Sequence, residues 1–422
     1  MFGIEPEWVD AQAKIAQLRT EGKAWVSPML DAQGAVEAEG LDAGVAAHYG
    51  SVNESRALTC GTALVDLSHL DILEMTGADR HKLLTTLGTQ IVTPQTTSAE
   101  TLFLNANGRV ALWAGVLNVT NDSSGGGASS AKDATYLITE AGCGQALADY
   151  LERMKFMMDA HTTPADLAGV GFVGDRFAAS GVSVWRDPWP DLQEGGIEYG
   201  DYVGEGALFR IGLLPRTEFA QAVGGLLAWV REHAGFPVVD ELGYEFAEPT
   251  WAGMNAWETL RIASCRPRYG REVDERALPH EWDWLRTAVH LHKGCYLGQE
   301  AVARIVNLGR PPRRAVFLNI DGSSGDAPTV GDPIEGGGRQ IGILTSVGYH
   351  HDDGWIGLGL VRRAARTEKV TVGGRAATCT DIVRADGKTS ASTTRPQLQK
   401  LAKQPVKAPE AVGSQKQLFV GK

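Results

Sequence analysis

Apolar residues recur along this chain with two different periods, and the changes between them outline the predicted elements. Spacings of three and four residues predict helices over residues 8 to 18, 142 to 155, 216 to 234, 251 to 263 and 299 to 307. Alternating runs predict strands over residues 71 to 76, 101 to 105, 109 to 119, 134 to 139, 182 to 185 and 207 to 213. From Arg314 to about Val383, short β-type runs separated by Gly-Asp, Gly-Gly and Asp-Gly predict a small terminal barrel. The pattern indicates an α+β protein with an all-β end.

Turn residues mark two of these boundaries. Asp79 follows the first predicted strand and is a suitable N-cap for a helix that carries Leu83, Leu84 and Leu87. Asn107-Gly108 separates two strands and predicts a hairpin. Residues 121 to 132 are rich in Gly and Ser and predict a flexible insertion, because the Gly-Lys-Ser spacing and following helix of a phosphate-binding loop are missing.

The same patterns predict the domain organisation. We expect a helix and connector over residues 1 to 44, a first α+β domain over 45 to 155, a second over 156 to 312, a barrel over 313 to 384 and a disordered basic tail over 385 to 422. At about 150 residues per domain, 422 residues and 43% hydrophobic content suit two to three packed domains. The tail is excluded from them because it lacks apolar periodicity.

Charge and composition limit the classes of partner and the cellular compartment that we expect. The formal charge is −11, and the segment from Lys388 onward contributes +6 to it, so the rest of the chain carries −17. Such a body disfavours nucleic acid as a partner. No run approaches the roughly 18 apolar residues of a membrane span, and the acidic N-terminal segment is unlike a secretory signal. We therefore expect a cytoplasmic protein without a membrane partner.

The most reactive candidate is a thiol in the octapeptide Lys-Gly-Cys-Tyr-Leu-Gly-Gln-Glu, residues 293 to 300. Cys295 precedes a predicted helix whose apolar face is Val302, Ile305 and Val306 and whose end Gly309 would cap. Helix amides and the Lys293 ammonium would both favour the thiolate. Gly294 and Gly298 lack a Cβ and so allow a positive φ or a close approach. The alternative is a packed, inert thiol, because cysteine is among the most buried residue types.

The octapeptide resembles the Lys-Gly-Cys-Tyr-x-Gly-Gln-Glu motif of the YgfZ family, folate-binding relatives of the glycine cleavage T protein, an aminomethyltransferase. The resemblance runs in order from Ala46 to Ile382, through residues 63 to 69, 102 to 110 and 257 to 262. It implies two α+β domains that exchange segments, plus a C-terminal barrel, around a central folate site. It also implies support of iron–sulfur cluster assembly or repair, with tetrahydrofolate as cofactor and assembly proteins or [4Fe-4S] client enzymes as partners.

The resemblance gives roles to individual residues. Cys295 would be the working thiol and Lys293 would tune it, while Tyr296, Gln299 and Glu300 would shape the loop and cap the helix. Capping of the first turn alone explains Gln299 and Glu300 equally well. Glu218 and Arg261 would contact folate, and an ordinary ion pair is the alternative for each.

The transferase chemistry needs a carboxylate near the reacting amine. In the transferases, an aspartate pair follows the glycines of the first hairpin, whereas the corresponding positions within residues 108 to 113 are apolar here. This favours loss of that activity, unless an acid from another segment, such as Asp66, reaches the site or the alignment slips.

Two hypotheses therefore remain. The first is a folate-binding accessory factor that needs Cys295, and the second is a tetrahydrofolate-dependent aminomethyltransferase that needs a carboxylate instead. Five cysteines without paired spacing favour neither a disulfide framework nor a resident metal. The string His350-His351-Asp352-Asp353 resembles a metal site, but neighbouring side chains on a turn point apart, so we expect an ordinary surface turn.

Overall fold

The computed structural model describes residues 5–119, 133–189, 191–201, 204–307, 310–387 and 389. Its helices are α1 (Ala11–Thr20), α2 (Glu54–Thr59), α3 (Arg80–Leu87), α4 (Gly144–Met154), α5 (Phe219–His233), α6 (Met254–Ala263) and α7 (Gln299–Asn307). The strands are β1 (Val36–Glu37), β2 (Ala46–His48), β3 (Ala63–Leu67), β4 (Asp71–Thr76), β5 (Ser98–Leu104), β6 (Val110–Val119), β7 (Ala134–Thr139), β8 (His161–Pro164), β9 (Leu167–Val173), β10 (Ser183–Arg186), β11 (Phe209–Pro215), β12 (Val238–Val239), β13 (Glu245–Phe246), β14 (Thr250–Ala252), β15 (Arg313–Ile320), β16 (Pro333–Gly336), β17 (Arg339–His350), β18 (Gly354–Arg362), β19 (Val370–Val372) and β20 (Arg375–Asp381).

The first large sheet is antiparallel, with strand order β5-β6-β7-β4-β8. Its β5–β6 hairpin turns at Gly108, whose φ of 73° is in the region that glycine tolerates best. Leu147 and Leu151 of α4 are fully buried in the same core as Leu73 and Leu137 of this sheet. The amphipathic spacing of α4 thus covers one face of the sheet.

The second large sheet shows that the two α+β domains exchange segments. Its strand order is β10-β11-β9-β3-β14, so β3 from the first predicted domain lies among strands of the second. In return, β8, which follows residue 156, pairs with β4 in the first sheet. The pairing of β14 with β3 is parallel, whereas the other pairs in this sheet are antiparallel. Helix α5 packs on this sheet through Phe219, Val223 and other buried residues.

A closed six-stranded barrel, in the order β15-β18-β17-β16-β19-β20, follows the two sheets. The pairing of β15 with β20 closes it and leaves neither strand with a free edge. Its interior contains Leu318, Ile334, Leu344, Val361 and Val372. The predicted fold class, α+β with a C-terminal barrel, is confirmed.

Helix α6 packs against both the second sheet and the barrel. Trp257 packs so closely on β9 that a Cβ on Gly171 would lie 2.8 Å from its ring. On another side of α6, a Cβ on Gly348 of β17 would lie 2.6 Å from the hydroxyl oxygen of Thr259. Glycines in both partners therefore let α6 contact the second sheet and the barrel at short range.

Several local predictions need correction. The helix predicted over residues 251 to 263 begins only at Met254, because residues 251 and 252 belong to β14. The first helix begins at Ala11 rather than Trp8, because the Asp10 side chain caps it by accepting the amide of Ala13. Asp79 occupies the N-cap position of α3, but its carboxylate accepts the amide of Asp159 instead of a helix amide. The second hairpin strand begins at Val110, one residue later than predicted.

Several predictions concern residues that the structure does not describe. The flexible insertion over 121 to 132, the cap at Gly309 and nearly all of the basic tail lie outside the described residues. Among the helices within the described ranges, none combines the length and the apolar character needed to cross a bilayer.

Candidate functional site

The thiol loop, residues 293 to 298, leads directly into α7. Helix α7 begins at Gln299 as predicted, and it buries Val302 and Val306 while Ile305 remains partly exposed. Cys295 is exposed on this loop. Its thiol is therefore reachable by a partner from solvent.

Burial distinguishes Cys295 from the other cysteines, all of which lie within the described residues. Burial raises the pKa of the Cys265 thiol to about 12 and that of Cys379 to about 11, and it also raises the pKa of Cys60 and Cys143. These four thiols are held in their protonated, less nucleophilic form at neutral pH. Exposure thus singles out Cys295 as the accessible thiol among the five.

Lys293 anchors the thiol loop to the end of α3. Its side chain is buried, and its ammonium donates to the carbonyl oxygens of Thr85 and Gly88, the latter at 2.5 Å. A cation at a helix C-terminus is favoured by the helix dipole and by the unpaired carbonyls. Burial lowers the pKa of Lys293 to about 8. The described hydrogen bonds of the Lys293 ammonium are directed to the end of α3, and its predicted effect on the thiol stays a prediction.

Tyr296, next to Cys295 in the loop, packs into the protein interior. Its ring is buried and lies 4.8 Å from the Lys293 ammonium, close enough for a cation–π contact. Burial raises the pKa of its hydroxyl, which has no hydrogen-bond partner among the described residues. Lys293 and Tyr296 together fasten both sides of Cys295 to the protein.

The two glycines of the loop play different parts. Gly298 has a φ of 80°, and a Cβ at this position would lie 2.5 Å from the carbonyl oxygen of Asn105 and 2.9 Å from the Cα of Gly108. The loop therefore rests on the β5–β6 turn, glycine against glycine. Gly294 has no positive φ, and a Cβ there would meet nothing within 4 Å, so of the two alternatives predicted for Gly294 only the close approach of a ligand stays a prediction.

Gln299 and Glu300 occupy the first turn of α7. The Gln299 side-chain amide donates to the carbonyls of Lys293 and Gly294, at 3.3 and 3.4 Å, and so closes the loop on itself. Glu300 is exposed at the positive end of the helix dipole. His280 contacts α7 through its Nε2, which lies 3.2 Å from the carbonyl oxygen of Val302.

A second feature, the central cavity, lies where the two sheets and α6 meet. It has a volume of about 80 Å³ and is walled by tryptophans from four segments, together with charged side chains. Its lining residues are Leu67, Leu70, Trp113, Glu140, Trp185, Asp187, Phe209, Ile211, Met254, Trp257, Arg261, Arg266, Pro267, Arg268, Tyr269 and Trp284. None of these residues belongs to the octapeptide.

The acids of the central cavity are paired with arginines. Arg268 donates to both carboxylate oxygens of Glu140, at 2.8 and 2.9 Å. Arg266 donates from Nε to Asp187 at 3.0 Å, and it also bonds Glu100 at 2.6 Å. Burial raises the pKa of Asp187 to about 6, although Arg266 opposes this change. Burial therefore disfavours the charged form of Asp187.

Glu140 and Asp187 are cavity residues that the sequence patterns did not predict. Asp66, the acid suggested from another segment, does not line the cavity, and its carboxylate accepts bonds from the Ser27 hydroxyl and the Ser68 amide. Trp113 lies at the cavity where an acid was expected in the transferases, and its indole donates to Glu100 at 2.8 Å. No local signal marks Asp187 as a site residue, since it is brought there by the pairing of β10 with β11.

The two predicted folate contacts are not brought together. Arg261 lines the central cavity, but its guanidinium makes five hydrogen bonds, to Glu258, Glu272, Ser346 and the carbonyl of Arg266. Although burial opposes ionisation, Arg261 and Arg268 hold the pKa of Glu258 at about 2. Glu218 is exposed at the start of α5, away from the cavity lining.

A third feature, the lateral crevice, lies on another side of α6, between the N-terminal connector and the barrel. Its volume is about 690 Å³, within the range of about 300 to 1,000 Å³ typical of small-molecule sites. Its walls include Glu39, His48, Asn255, Tyr349 and Trp355. The central cavity is well below that range.

Known proteins resemble this chain in sequence over only part of its length. No protein-family model matches the chain. In sequence it is similar to the putative transferase At1g60990, chloroplastic, of Arabidopsis thaliana, with 35% identity over 128 residues. An aminomethyltransferase of Halothermothrix orenii is 32% identical over 125 residues. Each match covers 29% of this chain, and 28% and 34% of these relatives, respectively.

The fold match extends much further than the sequence match. The crystal structure of glycine cleavage system aminomethyltransferase T from Bartonella henselae has a TM-score of 0.60 and covers 88% of this chain and 96% of its own. The chain is thus similar in sequence to aminomethyltransferases over less than a third of its length and shares the fold of one. At 17% identity that structure supports the fold alone. The chemistry of this chain must be argued from its own residues.

Proposed function

We propose that this protein is a YgfZ-like, folate-binding accessory protein for iron–sulfur cluster assembly or repair, with Cys295 as its working thiol. The observation that carries the proposal is the exposure of Cys295 on a loop that is fastened on both sides. An exposed thiol on a fixed loop suits repeated, reversible contact with a metal cargo held by a partner.

The chemistry required of Cys295 is ligand exchange. Its thiol releases a proton to solvent as the sulfur displaces a ligand of the assembly protein from a cluster iron. The Fe–S bond to Cys295 then breaks when a thiolate of the client protein replaces it, with no change of oxidation state. One thiolate suffices for such a transfer, whereas stable holding of a cluster takes about four. The cluster is therefore cargo, and the partners are assembly proteins or [4Fe-4S] enzymes.

The state of the central cavity also favours an accessory role over aminomethyl transfer. A carboxylate that binds a cationic amine must be available to it, and the two cavity carboxylates are already paired with Arg266 and Arg268. The hairpin positions expected to hold acids are apolar, with Trp113 in the cavity wall.

Folate would bind in the lateral crevice, where the volume is sufficient. Glu39, an exposed acid of the crevice wall, suits the amino groups of a pterin ring, and the glutamate tail would point to solvent because like charges repel. We place the protein in the cytoplasm on the basis of its composition.

A second candidate function is tetrahydrofolate-dependent aminomethyl transfer. Asp187 favours it, because a buried carboxyl with a pKa of about 6 could hold or release a proton beside a reacting amine. The names of the sequence relatives also favour it. In this case Asp187 would be essential and Cys295 dispensable.

The two functions are separated by matched substitutions in a deletion strain. Cys295→Ser is expected to abolish rescue of [4Fe-4S] enzyme activity, while Cys379→Ser, a partly buried cysteine in the barrel, keeps it. Wild-type rescue by Cys295→Ser at equal protein level would contradict the accessory role.

The same purified proteins are then assayed for glycine-dependent formation of methylene-tetrahydrofolate in the presence of the other glycine cleavage components. No product above background is expected from the wild type. Product that persists in Cys295→Ser and is lost in Asp187→Asn would establish the transferase instead.

A further inference from the structure

The turn between β17 and β18 meets a loop of the second domain at a cluster of three side chains. Glu205, His350 and Asp353 each place a possible ligand atom within 4.8 Å of the other two. His350 ends β17, Asp353 lies in the turn that follows, and Glu205 lies between β10 and β11. The sequence predicted an ordinary surface turn here because neighbouring side chains on a turn point apart, and Glu205 comes from a distant segment.

The histidine of this cluster is buried and its Nε2 is unpaired by hydrogen bonds. The His350 side chain is 4% exposed, and among the described residues Nε2 has no hydrogen-bond partner. Nε2 lies 3.4 Å from the Oε1 of Glu205. This is a long ion pair, beyond the 2.7 to 3.2 Å of ordinary N–H···O bonds, so Glu205 satisfies the buried ring nitrogen poorly.

The same separation is natural for two ligands of one metal ion. Zinc lies about 2.0 to 2.2 Å from imidazole nitrogen and carboxylate oxygen, so two ligands at a tetrahedral angle are about 3.4 Å apart. The Nε2–Oε1 distance already has this value. The carboxylate of Asp353 lies on an exposed side chain, with its ligand atom within 4.8 Å of the other two, so rotation of this side chain can complete a three-ligand face.

Surrounding contacts fix the histidine and the glutamate. The Nδ1 of His350 is 3.4 and 3.3 Å from the amides of Asp352 and Asp353, and 3.8 Å from the Oδ2 of Asp353. Both amides donate to Nδ1 over long distances. Ligation through Nε2 places the ring proton on Nδ1, so these two contacts are lost and Nδ1–H faces the Oδ2 of Asp353 instead. The amide of Glu205 bonds the carbonyl of Ala263 at 3.1 Å, which ties its loop to the end of α6.

We propose that Glu205, His350 and Asp353 form a binding site for a divalent transition metal ion, with zinc as the representative ion. The three ligands leave a fourth position for water, as in other open zinc sites. A bound ion joins the β17–β18 turn of the barrel to the second domain. It therefore stabilises the arrangement of the barrel around α6, independently of the function proposed for Cys295.

Isothermal titration of the metal-free full chain with zinc sulfate tests the site, with Cys295→Ser as the background because an exposed thiol also binds zinc. We expect one zinc ion per chain and a rise in Tm when zinc is present. Glu205→Gln and Asp353→Asn should each weaken binding at least tenfold, and His350→Gln should abolish it. Calcium chloride should give no binding, since Ca²⁺ takes six to eight oxygen ligands.

Asp352→Asn is the matched control. Asp352 is adjacent in sequence but is held by Arg56 at 2.7 Å, so its substitution should leave zinc affinity unchanged. The site is refuted if the folded Cys295→Ser protein binds no zinc, or if it binds zinc equally well after Glu205→Gln and Asp353→Asn. Both of these positions are partly exposed, so the test does not depend on whether His350→Gln folds.

Discussion

At the scale of single residues, the thiol loop shows why equivalent positions in a motif carry different constraints. Gly298 and Gly294 are four residues apart and look alike in sequence. The β5–β6 turn touches Gly298 and leaves Gly294 in open space. Only the packing partner distinguishes them, and that partner comes from a segment almost 200 residues away.

We predict opposite outcomes for alanine at these two positions. Gly298→Ala should lower the free energy of unfolding by about 2 kcal/mol or more, because a Cβ at positive φ is strained and meets the carbonyl of Asn105. Gly294→Ala should change it by less than about 0.5 kcal/mol. Urea unfolding of both variants measures this, and equal effects would contradict the packing argument.

The reactivity of the Cys295 thiol in the same two glycine variants provides a second test. Displacement of the loop by Gly298→Ala should alter the rate at which Cys295 reacts with a small disulfide reagent, whereas Gly294→Ala should leave the rate near the wild-type value. The reaction is followed by the released thiolate of the reagent, with Cys295→Ser as the blank. Unchanged rates in both variants would mean that the β5–β6 turn does not position the thiol.

At the scale of elements, α7 depends on the buried segment beneath it. His280 is fully enclosed, and burial lowers its pKa to about 4. In the unfolded chain the pKa of histidine is about 6.5. His280 therefore stays neutral in the folded protein at pH values where the unfolded chain binds a proton.

The pH dependence of stability follows from this difference. The contribution of His280 is fully present above pH 6.5, and it falls as pH drops toward 4 because the unfolded state takes up the proton first. Over that interval the wild type should lose about 3 kcal/mol relative to His280→Gln, which does not titrate. The free energies of unfolding of both proteins, measured at pH 7, 6, 5 and 4.5, check this predicted loss. Parallel plots of these free energies against pH would contradict a buried neutral histidine.

At the scale of the whole molecule, α6 separates a small, ion-paired cavity from a wide crevice. Their volumes, about 80 and 690 Å³, determine which of them admits a folate-sized ligand without rearrangement. Trp257 lines the cavity and not the crevice, whereas Trp355 lines the crevice and not the cavity. The molecule thus provides an intrinsic reporter for each space.

We predict that tetrahydrofolate quenches tryptophan fluorescence mainly through Trp355. Trp355→Phe should remove most of the ligand-dependent quenching, whereas Trp257→Phe should retain it, because aromatic stacking and energy transfer need proximity to the ligand. Titration of the two variants and the wild type at equal concentration measures the difference. The reverse pattern would place folate in the central cavity, and an absence of quenching in the wild type would contradict folate binding.

The sequence by itself determined the element order, the barrel, the start of α7 and the position of the thiol before it. These features follow from local periodicity, turn residues and a long motif, all of which are written within short segments. The tertiary structure alone decided that Lys293 anchors the loop to α3, that Asp187 and Glu140 reach the cavity, and that Glu205 meets His350. Such contacts join residues far apart in the chain, and no local pattern encodes which distant side chain fills a given space.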